Sequence, residues 1–221
     1  SDAWLHGLAK REKEQVWQYP YDRPHCYLLT NLEAYLDMYL ITGDPLYYDA
    51  VLGAWELYRS HWQQAGGSIS IIEFEKDPPD SNYLKQPLGE LCGSSFWVFL
   101  SQRFQLLHPG DERFATEIEK SIYNVGMANQ DGGVGLRYHT ILEGKKEKST
   151  HHNTCCEGQG TRLLGSLTEH IYSIAPDGGY LHLYESSTIR WQQEDQPMQL
   201  AIETHFPMEA KVRGTIKVKV P

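Results

Sequence analysis

The sequence predicts a mainly α chain, built of consecutive helix pairs that fit part of an (α/α) toroid and followed by the beginning of a β domain. Three observations carry this reading. From Leu28 onward apolar residues recur every 3.6 positions, as one face of a helix requires. A long segment, 68–89, rich in proline and turn formers, interrupts the helices at one end, where such loops would line the mouth of a ring. Beyond "APDGG" at 175–179 the period falls to two, the mark of half-buried strands. The expected domains are therefore a partial helical barrel over 1–175 and the start of a β domain over 180–221.

Each element has its own signal. Leu28, Leu32, Tyr35, Leu36, Tyr39 and Leu40 form the stripe of a first helix, which stops at Gly43. A second starts at Pro45, carries Leu46, Ala50, Val51, Ala54, Trp55, Tyr58 and Trp62 on its face, and ends near Gly66 and Gly67. The short "TGDP" between them makes the pair an antiparallel hairpin. After the long loop, further helices are expected over 90–107, 111–128 and 156–173. Strands are then expected from about Tyr180, in "YLHLY", "TIRW", "MQLAIETHF" and "VRGTIKVKV". The sequence stops at Pro221 within strand-like residues, leaving an edge that calls for pairing, so it is expected to be a segment of a longer protein.

Composition narrows the function. The 221 residues, 40% of them hydrophobic, can build one good-sized core. With 29 acidic and 20 basic residues the formal charge is −9, which repels nucleic acid and anionic membranes. The one basic run, "GKKEKS" at 144–149, reads as a solvated loop. No apolar stretch reaches the roughly 18 to 20 residues of a membrane helix, and no signal pattern opens the chain, so it is expected to be soluble. Its compartment, cytoplasmic or periplasmic and secreted, stays open. Fourteen tyrosines and six tryptophans suit either a sugar-stacking cleft or an aromatic helical core.

The four cysteines are too few for a disulfide scaffold. Adjacent Cys155 and Cys156 could close a bridge only with strain, because ordinary disulfides hold Cα atoms about 4.4–6.8 Å apart. "GELCGS" sets Glu90 two residues from Cys92, and "HHNTCCEGQGTR" supplies Cys155 and Cys156. One carboxylate and three thiolates are the ligand types and number of a tetrahedral zinc site. Neither E-x-C nor C-C is the spacing of a zinc finger. Both pairs fall at predicted helix starts, where the helix N-terminus stabilises a thiolate. Against this, Cys26 and Cys92 taken singly read as small buried hydrophobes. Hydrophobic packing does not account for a Cys-Cys pair beside Asn153, His152 and Glu157. His151 and His152 are alternative ligands. Thiol redox chemistry has no C-x-x-C motif to support it.

"ELCGS", followed by "HHNTCCEGQGTRLLGSLTEHIYS" and "DGGYLHLYESSTIRW", resembles glycoside hydrolase family 127, the β-L-arabinofuranosidases and their relatives. The resemblance runs from about Pro24 to the strands after Gly179. It implies an (α/α)6 barrel followed by a β-sandwich domain, of which the visible helices are fewer than half. An incomplete ring would expose apolar faces for partners that complete it, self-association into a homo-oligomer included. The resemblance also implies that Glu90, Cys92, Cys155 and Cys156 hold Zn²⁺, with Cys155 as the nucleophile of a retaining mechanism. The general acid/base would be a glutamate between the Gly-Gly turn and E-x-C. Glu73 is preferred because "GGSISIIE" resembles relatives that also carry "PP" and "GELCGS", and Glu75 is the alternative by its spacing from the glycines. His25, opening the helix that ends in "TGD", and Tyr138, in "VGLRYHT", would contact the sugar, although the usual Y-V-N-P continuation is absent after Tyr138.

The implied partner is a glycoside or oligosaccharide substrate, with a furanoside such as a β-L-arabinofuranoside foremost. A coordinated thiol is deprotonated outright, so zinc would keep Cys155 ionised at neutral pH. Ile71, Ile72 and Phe74 would keep the glutamate protonated by desolvation. The competing reading is a non-catalytic relative in which zinc only stabilises a carbohydrate-binding fold.

Overall fold

The structure, a computed structural model, describes residues 2–17, 26–67, 69, 89–132, 135–141, 144–146 and 153–218. Among the described residues, six α-helices lead into two small antiparallel sheets. The helices are α1 (Asp2–Ala9), α2 (Cys26–Thr42), α3 (Pro45–His61), α4 (Leu91–Leu107), α5 (Glu112–Ser121) and α6 (Cys155–Gly165). The strands are β1 (Tyr172–Ala175), β2 (Gly178–Leu181), β3 (Ser187–Gln193), β4 (Gln196–Thr204) and β5 (Val212–Val218).

Local chemistry sets the helix boundaries. Asp44 caps α3 by accepting from the Leu46 amide at 3.0 Å, and Pro45 takes the first helical position, where no N–H is needed. Asp111 caps α5 in the same way, accepting from the Arg113 amide at 3.1 Å. Only Gly43 and Asp44 separate α2 from α3, giving the expected hairpin. After Ser121, α5 passes into a π turn over Ile122–Gly126 rather than running on as α-helix to 128.

The packing forms two rows. α4 lies against both α2 and α6, while α3 packs on α2 and α5 packs on α4. Helices alternate between rows along the chain, as a ring of helix pairs demands, and α4 in the middle is buried over most of its length. Between the rows sits an aromatic core. Trp55 stacks on Trp97 with centroids 5.1 Å apart, Phe104 stacks on Phe114 at 4.9 Å, and Trp55 meets Phe114 edge-on at 4.9 Å. The Trp55 indole N–H donates to Ser101 Oγ at 3.0 Å, which satisfies the polar atom that burial would otherwise strand.

The change from helix to strand differs from the sequence reading. Helix α6 ends at Gly165, a 3-10 turn spans Leu167–His170, and β1 begins at Tyr172, ahead of Tyr180. "APDGG" is thus no boundary but the turn of a hairpin, with Ala175 paired to Gly178 and Tyr172 to Leu181. The run "IYSIA" is β-branched and aromatic, so it suits a strand as well as it fits the tail of a helical stripe. β3, β4 and β5 form a separate antiparallel sheet with Trp191 opposite Met198 and Met198 opposite Val218. Residues of one face alternate apolar along all three strands, and Ile202 in the centre is buried. Among the described residues no helix is long and apolar enough to cross a membrane.

Candidate active site at the three-cysteine cluster

The four cysteines share one structural address. Cys26 opens α2, Cys92 is the second residue of α4, and Cys155 and Cys156 open α6. These helices form one row, so their N-termini come together at one end of it. Cys92, Cys155 and Cys156 converge, with their sulfurs all within 4.8 Å of one another. No cysteine is in a disulfide, so the vicinal bridge is not formed.

The local folding of each strut is legible in hydrogen bonds. Thr154 and Glu157 form a reciprocal capping box on α6: the Glu157 amide donates to Thr154 Oγ1 at 3.3 Å, and the Thr154 amide donates to Glu157 Oε2 at 3.2 Å. This box fixes the first turn, and with it both cysteines. The sequence reading missed these two residues, although "TCCE" carries the T-x-x-E signature. Glu90 holds the N-cap position of α4 without a side-chain capping bond. Its Oε1 lies 4.0 Å from Cys156 Sγ, and the Cys92 amide donates to the same sulfur at 3.4 Å.

A cross-connection anchors Tyr138. The Leu91 amide donates to the Tyr138 carbonyl at 3.0 Å, and Gly89 and Thr140 exchange bonds of 2.9 and 3.1 Å. Tyr138 therefore lies in an extended segment tied to the start of α4, not in one of the named strands. Its hydroxyl reaches to 3.8 Å from Cys155 Sγ. On the other side, the glycine at 93 allows close approach: a Cβ there would fall 2.5 Å from the Ile69 carbonyl oxygen. Ile69 follows the Gly-Gly turn, so this contact brings the head of the long loop against the cysteine-bearing helix.

Burial is asymmetric. Glu90 is 3% exposed, Cys92 2% and Cys156 0%, whereas Cys155 is exposed. Ionising the inner groups together is costly. The Cys92 thiol is pushed well up by its hydrogen bond with Cys156, by burial, and by the charges of Cys156 and Glu90. Tyr138 is likewise held neutral, by burial and then by its bond to Cys155. A divalent cation is the group that would relieve this repulsion. Tetrahedral Zn–S bonds of about 2.3 Å put sulfurs about 3.8 Å apart, so sulfurs lying within 4.8 Å of one another would close in by up to about 1 Å around the ion.

The sequence-predicted Glu90, Cys92, Tyr138, Cys155 and Cys156 are thus brought together. Glu73, Glu75 and His25 lie outside the described residues, as do His151 and His152.

Fold and site define a class: part of an (α/α)6-barrel protein with a thiol-rich centre where its inner helices begin. Residues 7–169 match the family described as β-L-arabinofuranosidase, GH127 catalytic domain, and the chain belongs to that family. Among solved structures it is similar to a GH127 β-L-arabinofuranosidase from Geobacillus stearothermophilus T6, at 22% identity and a TM-score of 0.75 over 86% of this chain and 33% of that one. It is also similar to a GH127 β-arabinofuranosidase, at 21% identity and a TM-score of 0.76 over 97% of this chain and 39% of the other. A third likeness, at 20% identity and a TM-score of 0.68, is to a glycoside hydrolase of which it covers 37%. The chain thus spans 33–39% of the length of these relatives, and at such identities the likeness bears on fold. No curated protein matches the chain.

Proposed function

We propose that this chain carries the catalytic centre of a retaining glycoside hydrolase acting on furanosides such as β-L-arabinofuranosides. The observation that carries the reading is the cluster itself: three sulfurs within 4.8 Å, two sealed and one exposed. A structural metal site closes all its ligands away, whereas a catalytic one leaves an approach to the reacting group. That difference favours catalysis over a zinc site that only stabilises the fold.

Glu90, Cys92, Cys155 and Cys156 would hold Zn²⁺. When bound, the ion supplies the charge that keeps these thiols ionised at neutral pH. Cys155, the exposed member, attacks the anomeric carbon, and the C–S bond forms as the glycosidic C–O bond breaks. Glu73, or Glu75 in its place, gives its proton to the departing oxygen. The same carboxylate then takes a proton from water as the water oxygen attacks the anomeric carbon, and Cys155 leaves as thiolate. Tyr138, neutral and 3.8 Å from Cys155 Sγ, contacts the sugar beside the nucleophile together with His25.

The test is a mechanism-based arabinofuranosyl inactivator applied to the full-length protein, with mass spectrometry of the label and elemental analysis of the metal. One zinc per chain and a label on Cys155 are expected. A label on a carboxylate would overturn the thiolate mechanism. Zinc without label or turnover, in folded protein, would move the reading to a non-catalytic carbohydrate-binding relative.

A further inference from the structure

Helix α6 carries three glycines, and one of them differs from the other two. A Cβ added at Gly158 or Gly165 would meet nothing within 4 Å. At Gly160 it would fall 2.3 Å from Leu91 Cδ2, 2.7 Å from Leu136 Cδ1 and 3.1 Å from Leu91 Cγ. Real Cβ atoms do not approach other heavy atoms below about 3 Å, so either these leucine side chains or the helix must give way. Gly160, Leu91 and Leu136 are all buried, and protein cores pack densely enough that overpacking is costly.

The position makes this contact consequential. Gly160 lies four residues after Cys156, so the two share the face that α6 turns toward α4. Leu91 stands between Glu90 and Cys92, and its amide is tied to the Tyr138 carbonyl. A side chain at 160 has to displace either the Leu91 and Leu136 side chains or α6 itself, with Cys155 and Cys156, away from the turn of α4 that holds Glu90 and Cys92.

We propose that Gly160 is a positioning residue that sets the α4–α6 spacing at which the three sulfurs converge; the metal-binding part of this inference rests on the function proposed above. Intrinsic helix propensity argues the opposite way, because alanine stabilises a helix interior relative to glycine. A glycine that the spacing requires and one that it does not therefore predict different outcomes.

The experiment compares wild type, Gly160→Ala, Gly165→Ala and Gly160→Ala/Leu91→Ala in the full-length protein. Cobalt(II) is the probe, through its thiolate charge-transfer absorption and its affinity in competition with a chelator. Gly160→Ala is expected to bind cobalt 10- to 100-fold more weakly, the range typical of groups that orient ligands. Removing the Leu91 side chain should restore most of that affinity, and Gly165→Ala should match wild type. A second readout works on the metal-free protein: a bis-alkylating bimane fluoresces only when both arms join neighbouring thiols, and its yield should fall in Gly160→Ala and recover in the double variant. Unchanged cobalt binding and bimane yield in Gly160→Ala would overturn the proposal, as would a loss that Leu91→Ala does not relieve. A wild type that gives no thiolate–cobalt band would instead overturn the metal assignment, and the bimane comparison would then decide the role of Gly160.

Discussion

Cys155 is exposed at the first position of α6, while Cys156, one residue on, is sealed from solvent. Successive helical residues point about 100° apart, so adjacent cysteines at a helix start address different surroundings from one anchor. The two should therefore fail differently. Cys155→Ser is expected to abolish turnover while leaving the fold intact by circular dichroism, and Cys156→Ser to lose metal and lower Tm as well. Between the two candidate acids, kcat decides: the substitution to Gln that removes the true acid/base should cost roughly 10² to 10⁴-fold, and less on a nitrophenyl glycoside, whose leaving group needs little proton assistance. His170 offers a test of pH dependence. It is fully buried against Phe99, its Nε2 lies 3.4 Å from Ser166 Oγ, and burial lowers its pKa from 6.5 to about 4. A folded-state value below the unfolded one means that the unfolded chain binds the extra proton. The stabilisation is whole above about pH 6.5 and is lost as pH falls to about 4, on the order of 3 kcal/mol in all. His170→Gln should flatten that limb of a denaturation series taken between these pH values.

At the scale of elements, the capping box of α6 joins stability to the site. Thr154→Ala should cost about 1 kcal/mol in chemical denaturation. Because Thr154 and Glu157 bond reciprocally, the double variant with Glu157→Ala should cost less than the sum of the singles. Long elements were readable from sequence, seventeen residues each: α2 and α3 by an apolar stripe with a clear stop, and α4 by its length and apolar content over 90–107. The short ones were not. α1, eight residues with Gly7 in its last turn, offers barely two turns of pattern, and its place is set by packing on α3. The β1–β2 hairpin was hidden because its first strand continues the apolar spacing of the helix before it. Among the site residues, the cysteines and Glu90 announced themselves by chemistry. Gly160 did not, since a glycine says nothing about its neighbours until the helices are placed.

Across the molecule, the two rows of helices share one aromatic core, and the cluster crowns the row that contains α4. Trp97 is wholly buried against Trp55, so Trp97→Ala should cost about 3–5 kcal/mol and destabilise the rows together. Metal should report on the same unit. A ligand that binds only the folded chain, free at a hundred times its Kd, adds about 2.7 kcal/mol, so zinc removal by a chelator should lower Tm in a way that excess zinc reverses. The π turn at Ile122–Gly126 acts at this scale too. Each of its bonds spans one residue more than an α-helical bond, so the turn holds a surplus residue in the count between α5 and Asn129. Asn129 is fully buried there, its Nδ2 donating to the Val125 carbonyl at 2.9 Å and lying 3.5 Å from that of Gly89, beside Glu90. Were that turn to tighten into ordinary helix with its residue count unchanged, everything after it would be carried out of phase by about 100°. The chain would then have a more regular helix and a misaimed Asn129, which makes the local irregularity the gauge by which the tyrosine-bearing segment meets the head of α4.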